Sequence, residues 1–457
     1  MTIAMPPFNP FWGLHLNLGN GSALMLLYLF VQRLLRYQRE KRILERYRKE
    51  IAGIDSATTR DDGRLGLDLG KMTFTQASKI QKELASLEFP YTFGHSLELG
   101  FIQTLAFPYP AKILNSTHQI SGEDAMPKRL ADTSILMQNI YNFTPDSPRF
   151  QQAVSRINYI HSRYSGRIQN DDMLYTLAVF ACNPWDYIDK DEWRRLNVLE
   201  VAALGTFWMQ MGELLHVDML EIKGMAVTHP VDNGSKDVAA YLSESSSGWN
   251  DGYDFMLDLR AYMRWHEQEY AQNSQDVDAV VGTTFNIVTK YIPTAYLKRL
   301  AKEMVVSEYP TLWYRAMGIP PPPRSTAILF HTFLSVRCLA LRYLALPRPW
   351  FLSGERTIRD PDPTTGRYHQ SDYVTFPYYV RPSFWKRYGP ETWLSWLFGT
   401  PLPGDEGEKY RPEGYLLDEI GPEKMEGKGK EWMADERLLV EGKIREGACP
   451  FAAILKR

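Results

Sequence analysis

Apolar residues recur at three- and four-residue steps through most of the chain, while two-residue alternation over the length of a strand is scarce. Helical registers run over Arg129–Tyr141, Pro148–Tyr164, Asp171–Ala181, Leu196–His216, Tyr253–Ala271, Val277–Val306 and Thr326–Leu344. An earlier register opens at "TFTQASKIQKELASLEF", where Thr73 and Gln76 have the spacing of a capping box. "QNDDM" (Gln169–Met173) reads as a helix start, with Asn170 as the cap and Asp171 and Asp172 at the positive end of the dipole. The pattern predicts an all-α fold: a single large helical domain over 71–345, preceded by a Gly-, Asp- and Thr-rich linker at 51–70. Two polar or Pro-rich loops, "LSESSSGWNDG" (Leu242–Gly252) and "GIPPPPRS" (Gly318–Ser325), interrupt it. From Leu346 onward the texture changes to Pro, Gly and aromatics. That predicts an irregular wrap over 346–457, packed on the helical domain and without a helical register until about Glu431.

The N-terminus has its own pattern. The first 32 residues contain no Asp, Glu, Lys or Arg, and then Gln32–Glu50 carries eight Lys or Arg against three Glu. Under the positive-inside rule this predicts a single membrane anchor over 1–50 with a basic juxtamembrane helix, a lumenal N-terminus and a cytosolic body. Only Ala23–Val31 is continuously apolar, so a full span of about 20 residues has to reach back through Asn20, Asn17 and His15. A helix lying on the membrane surface is the other reading.

Composition narrows the function. The chain is 44% apolar and 13% aromatic, enough for a sizeable core, and its net charge of −2 provides no global basic field to hold nucleic acid. Cys182, Cys338 and Cys449 are far apart and form no CxxC, which fits a reducing compartment. There is no GxGxxG, P-loop, HExxH or GxSxG. One E-x-x-H, Glu213 to His216, is half of a di-iron carboxylate site, and no second one completes it.

Two stretches carry chemistry. In a helix over Pro148–Tyr164, the residues Val154, Ile157, Asn158, His161 and Tyr164 share a face that can line a cavity. A neutral imidazole there either ligates a metal or haem iron, or sits in the core donating to a carbonyl. In "KRLADT" (Lys128–Thr133), Arg129 and Thr133 lie one turn apart. They either converge on a haem propionate or dioxygen, or are a surface arginine and a back-bonded threonine.

These stretches together resemble the catalytic domain shared by fungal ER-bound oxygenases of mycophenolic acid biosynthesis (the mpaB family) and bacterial latex-clearing rubber oxygenases. The fungal resemblance covers almost the whole chain. It takes in the charge-free N-terminus, "QKELASLEFPY", "KRLADT", "RINYIHSRY", "DDMLYTLAVFACNP", "EWRRL", "GTFWMQMGE", "RPSFWKRYGP" and "PLPGDEGEKYRPEGY". The rubber oxygenases look like all-helical haem b proteins, and their axial histidine matches His161. Their arginine and threonine near the haem match Arg129 and Thr133. They carry a lysine where this chain has Asp132, which cannot cap iron in the same way. Their catalytic glutamate has no clear counterpart; Glu98 and Glu123 are candidates.

The resemblance implies an ER-membrane oxygenase, single-pass with a cytosolic body. It would use dioxygen to cleave a carbon–carbon double bond in an isoprenoid side chain of a fungal secondary metabolite. Haem b would be the cofactor, His161 its iron ligand, and Arg129, Asn158 and Tyr164 would line its site, with Arg129 and Thr133 in the chemistry. The alternatives are a non-haem metal oxygenase or hydroxylase on the same fold, and a membrane protein that binds a hydrophobic metabolite without turning it over.

Overall fold

The computed structural model describes residues 18–52, 67–117, 125–229, 249–352, 360–373, 375–446 and 451. Among them there is no β-strand, only two isolated bridges, Ser165 with Ile168 and Tyr368 with Tyr415. The longer helices are α1 (Leu18–Arg36), α2 (Gln38–Ala52), α3 (Phe74–Glu83), α4 (Pro90–Thr104), α5 (Pro108–Ser116), α6 (Ala125–Asn142) and α7 (Pro148–Ser162). They continue with α8 (Asn170–Asp191), α9 (Val198–Leu214), α10 (Gly252–Tyr270), α11 (Gln275–Val288), α12 (Ala295–Val306), α13 (Thr311–Ala316), α14 (Arg324–Tyr343) and α15 (Lys430–Glu446).

Helix α9 is the axis of the core. It is apolar on all sides, and every residue from Leu199 to Gly212 is buried, as expected of a helix with no polar face at the centre of a packed core. Its one internal carboxylate, Glu200, lies at the first turn, where Asn197 and Glu200 form a capping box. Both Arg194 Nη atoms reach Glu200 at 2.7 Å. The carboxylate is thus buried fully paired, as a charge in low dielectric requires. Helices α3 and α10 pack on α9, α4 packs on α8, and α15 packs on α7.

Local chemistry sets the helix ends. Thr73 and Gln76 make the predicted capping box at α3. At α8 the cap is Gln169, paired with Asp172, and not Asn170, which instead bonds the Asp218 backbone. The register expected over Val277–Val306 is two helices. Pro293 lacks an N–H to continue the first, and the Thr294 hydroxyl accepts from Leu297 N at 3.1 Å to start the second. No helix among the described residues is long and apolar enough to cross a membrane. The expected spanning anchor is therefore not supported. Gly19, Asn20, Gly21 and Ser22 take up the first turn of α1, and Gln32 and Arg33 end its apolar run.

The C-terminal wrap has no ladder to satisfy its backbone, so buried cations do so. Arg156 on α7 is fully buried and donates to the carbonyls of Ile420 (2.6 Å), Met425 (3.0 Å) and Lys428 (3.3 Å). Contrary to the expectation of no helix before about Glu431, the wrap holds two short helices, Phe384–Tyr388 and Trp393–Phe398. Helix α15 starts at Lys430, near the expected position, and lies along α7.

Helices α9 and α10 cross at two glycines. A Cβ on Gly205 would stand 1.8 Å from the Gly252 carbonyl oxygen, whereas one on Gly282 meets nothing within 4 Å. Gly205→Ala is expected to destabilise the protein by about 2 kcal/mol or more through backbone overpacking. Gly282→Ala, inside α11, should be neutral or stabilising by about 0.5–1 kcal/mol. Equilibrium denaturation of the two variants checks this.

Candidate active site

A cavity of about 950 Å³ lies between the C-terminal half of α4, α5, α6, the end of α7, the N-terminal half of α8 and part of the C-terminal wrap. Its walls are largely apolar, with Phe101, Leu136, Ile140, Ile157, Phe180 and Trp208 among them. Arg129, Thr133, His161 and Tyr164 all line it.

His161 occupies the last turn of α7 and shows part of its ring, but to the cavity. Neither ring nitrogen bonds to the protein among the described residues, and none of the surrounding carbonyls takes a proton from it. Burial lowers its pKa to about 4, and the neighbouring Arg129 charge pushes the same way. The ring is neutral at pH 7, with a lone pair free for a ligand. Arg129 is the complementary group. Its Nε is buried with no hydrogen-bond partner, and its guanidinium has no ion pair among the described residues. Burial pulls its pKa below an arginine's ordinary value, opposed by Tyr164 and Asp132. The Thr133 hydroxyl makes no back-bond to the preceding turn, so it too is open to the cavity.

Asp132 sits beside them but is fully engaged. Its Oδ2 accepts from Lys128 Nζ at 2.7 Å and from Gly421 N at 3.2 Å, and its Oδ1 accepts from Tyr379 OH at 2.8 Å. Lys128 also donates to Gly421 O at 2.7 Å and pairs with Glu426 at 3.1 Å. The i, i+4 pair thus clamps the wrap onto α6. Gly421 has a φ of +119° and stands so near Ile160 that a Cβ would come within 2.7 Å of its Cδ1. The wrap in turn closes one side of the cavity with Tyr378, Arg411 and Gly421–Lys424.

No protein-family model matches the chain. It is similar to the ER-bound oxygenase mpaB' of Penicillium brevicompactum, 33% identical over 390 residues that span 84% of this chain and 86% of the relative. The ER-bound oxygenase mpaB of the same organism is 32% identical over 352 residues, 76% of this chain and 77% of that one. The mpaB of Penicillium roqueforti strain FM164 is 30% identical over 299 residues, 62% of this chain and 89% of its own length. The chain belongs to the mpaB family. Its named relatives are oxygenases, which makes this member an oxidoreductase in class.

Within this mpaB-family chain, the other sequence candidates lie elsewhere. Asn158 points away from the cavity and donates from Nδ2 to Leu214 O (2.8 Å) and Glu436 Oε1 (2.7 Å), docking α15 against α9. One helical turn before His161, it is rotated off the cavity face that Ile157, Ile160 and Tyr164 share. Glu98 is 71% exposed beside His95 and takes no part in the cavity, and Glu123 lies outside the described residues. His216 pairs with Glu436 at 2.9 Å instead of with Glu213. Among the described residues no three His, Cys, Asp or Glu side chains cluster as a metal would need.

Sequence reasoning missed His266. It is buried on α10 and lines the cavity, stacked on Tyr175 at 4.8 Å and packed on Phe107 and Tyr270. Its Nδ1 is buried without a partner, and burial lowers its pKa to about 4 against the pull of Asp171. The helical spacing of Tyr262, His266 and Tyr270 was the available signal.

Both cavity imidazoles are held neutral, and unfolding returns them to a pKa near 6.5. The unfolded chain therefore binds more protons below that value, so stability is intact above pH 6.5 and falls as the pH drops toward about 4. Denaturation midpoints measured at pH 7 and pH 4.5 should converge in the His161→Phe/His266→Phe double variant relative to the parent. Equal acid sensitivity in the two proteins would count against enclosed neutral rings.

Proposed function

We propose that this mpaB-family member is a haem-dependent oxygenase. In this reading it uses dioxygen to cleave a carbon–carbon double bond in the isoprenoid side chain of a fungal secondary metabolite. The observation that carries it is one cavity lined by an imidazole whose nitrogens make no hydrogen bond among the described residues and by a guanidinium whose buried Nε has no hydrogen-bond partner. Buried arginine nitrogens without a partner also occur on Arg36 and Arg337, away from the cavity, so it is the convergence of Arg129 and His161 on one chamber that supports the reading.

The residues present fit haem b. His161 would hold it through one nitrogen, and Arg129 would neutralise an anionic group such as a propionate. When bound, the group would supply a redox-active metal that can engage dioxygen. The chain's own contributions follow from the cavity. The neutral state of His161 keeps its lone pair available, the Thr133 and Tyr164 hydroxyls offer hydrogen bonds, and Phe101, Ile140, Phe180 and Trp208 exclude water and accept an apolar chain. Cleavage of C=C by O2 into two carbonyl groups balances without an external reductant. A non-haem site has less support, since it needs a ligand cluster that the described residues do not hold. The relatives' names support work at the endoplasmic reticulum on a small molecule.

Protein supplied with haem should show a Soret band, which His161→Ala should reduce at least tenfold while the circular dichroism stays helical. Arg129→Leu should weaken haem retention without abolishing it. With a farnesyl-bearing phenol as probe, ¹⁸O₂ should label both carbonyl products. An unchanged spectrum and activity in His161→Ala would overturn the ligand assignment.

A further inference from the structure

Two helices far apart in sequence leave apolar surface that the protein does not cover. On α1, Leu24 (51%), Met25 (52%), Leu26 (67%) and Leu27 (57%) are all more than half exposed. Four consecutive helical residues point in every direction around the axis, so among the described residues no neighbour covers this part of the helix. On α14 only Thr326, Phe330 and Leu334 are buried, while Ile328, Leu329, Phe333, Val336 and Leu339 are 56–67% exposed. The two helices are joined. Tyr28 OH donates to Leu344 O, and Gln32 Nε2 donates to Arg342 O (3.1 Å) and Ala345 O (2.9 Å).

Charge is distributed around this surface in a definite order. Arg33, Arg342 and Arg348 are exposed at the junction where the apolar run of α1 stops, beside exposed Tyr343, Trp350 and Phe351. Exposed Lys41, Arg42, Arg48 and Lys49 of α2 follow, against Glu45 and Glu50. An apolar layer bordered by aromatics and then by cations matches the layering of a bilayer leaflet, its interface and its anionic headgroups.

We propose that α1 and α14 together form a platform that seats the protein in one leaflet of a phospholipid bilayer, without crossing it. The apolar run Ala23–Val31 has nine residues. At 1.5 Å per residue it reaches about 14 Å, close to half of the roughly 30 Å hydrocarbon core. A second copy of the chain would cover one side of each helix, whereas a fluid apolar medium covers α1 on all sides. The proposal deepens the endoplasmic-reticulum placement above and rests on it, but it requires neither haem nor oxygen chemistry.

Flotation of the full chain with phosphatidylcholine vesicles, with and without phosphatidylserine, tests this. The α1 variant Leu26→Glu/Phe30→Glu and the α14 variant Leu329→Glu/Phe333→Glu should each weaken vesicle binding at least tenfold, with unchanged thermal melts. Arg342→Glu/Arg348→Glu should remove the phosphatidylserine- and salt-dependent part alone. The proposal is overturned if the α14 variant binds like the parent, as a spanning α1 requires. It is also overturned if the substitutions dissociate a lipid-free dimer without affecting vesicle binding, or if they lower the melt as residues packed on protein would. Haem spectra of the same variants should match the parent, so a failed platform and a failed cofactor assignment give different results.

Discussion

An irregular segment packed against helices must find donors for its carbonyl oxygens, because it has no ladder of its own. Here Arg156 and Lys128 supply them, from α7 and α6, to a stretch of the wrap only a few residues long. The rest of the site depends on this arrangement. It fixes Gly421 over Asp132, brings Tyr379 onto the same carboxylate, and turns a Pro- and Gly-rich tail into one wall of the cavity. The cations are sunk in the protein, where a charge-assisted hydrogen bond counts for more than at the surface.

Adjacent cations on α6 therefore have opposite fates. Lys128 is saturated by Asp132, Glu426 and Gly421 O, and Arg129, the next residue, has no partner for its buried Nε. A buried guanidinium without an ion pair is costly. Its place beside His161, which makes no hydrogen bond among the described residues, supports the proposed cofactor reading.

The helical periodicity of the sequence predicted most of the helices, the α3 capping box and the onset of α15, because each depends on neighbours three or four residues away. The same local rule brought Arg129 and Thr133 together, and His161 with Tyr164. It misplaced Asn158, since face membership by residue offset is too coarse to separate a cavity wall from a helix contact 60° further round. It ran through Pro293 as one helix, and it favoured Asn170 over Gln169 as a cap because asparagine is the commoner one. The engagement of Asp132 was not legible, because its partners Tyr379 and Gly421 are distant in sequence and belong to a segment without a period. His266 was overlooked for a related reason: its surroundings are made by Tyr175 of α8 and by Phe107, the extended residue that precedes α5.

Helix α8 links the cavity and the exposed α14 surface at opposite ends. Its N-terminal half, around Thr176, borders the cavity, and at its far end Glu192 receives Arg337 of α14 at 2.8 Å. The last cavity-lining residue of α8, Phe180, lies twelve positions before Glu192, about 18 Å along the helix, and no residue of α1 or α14 lines the cavity among the described residues. A leaflet seated against α14, as proposed, would therefore lie apart from the chamber. In that reading, mooring to the leaflet and filling of the chamber would take place on different faces of the helical body.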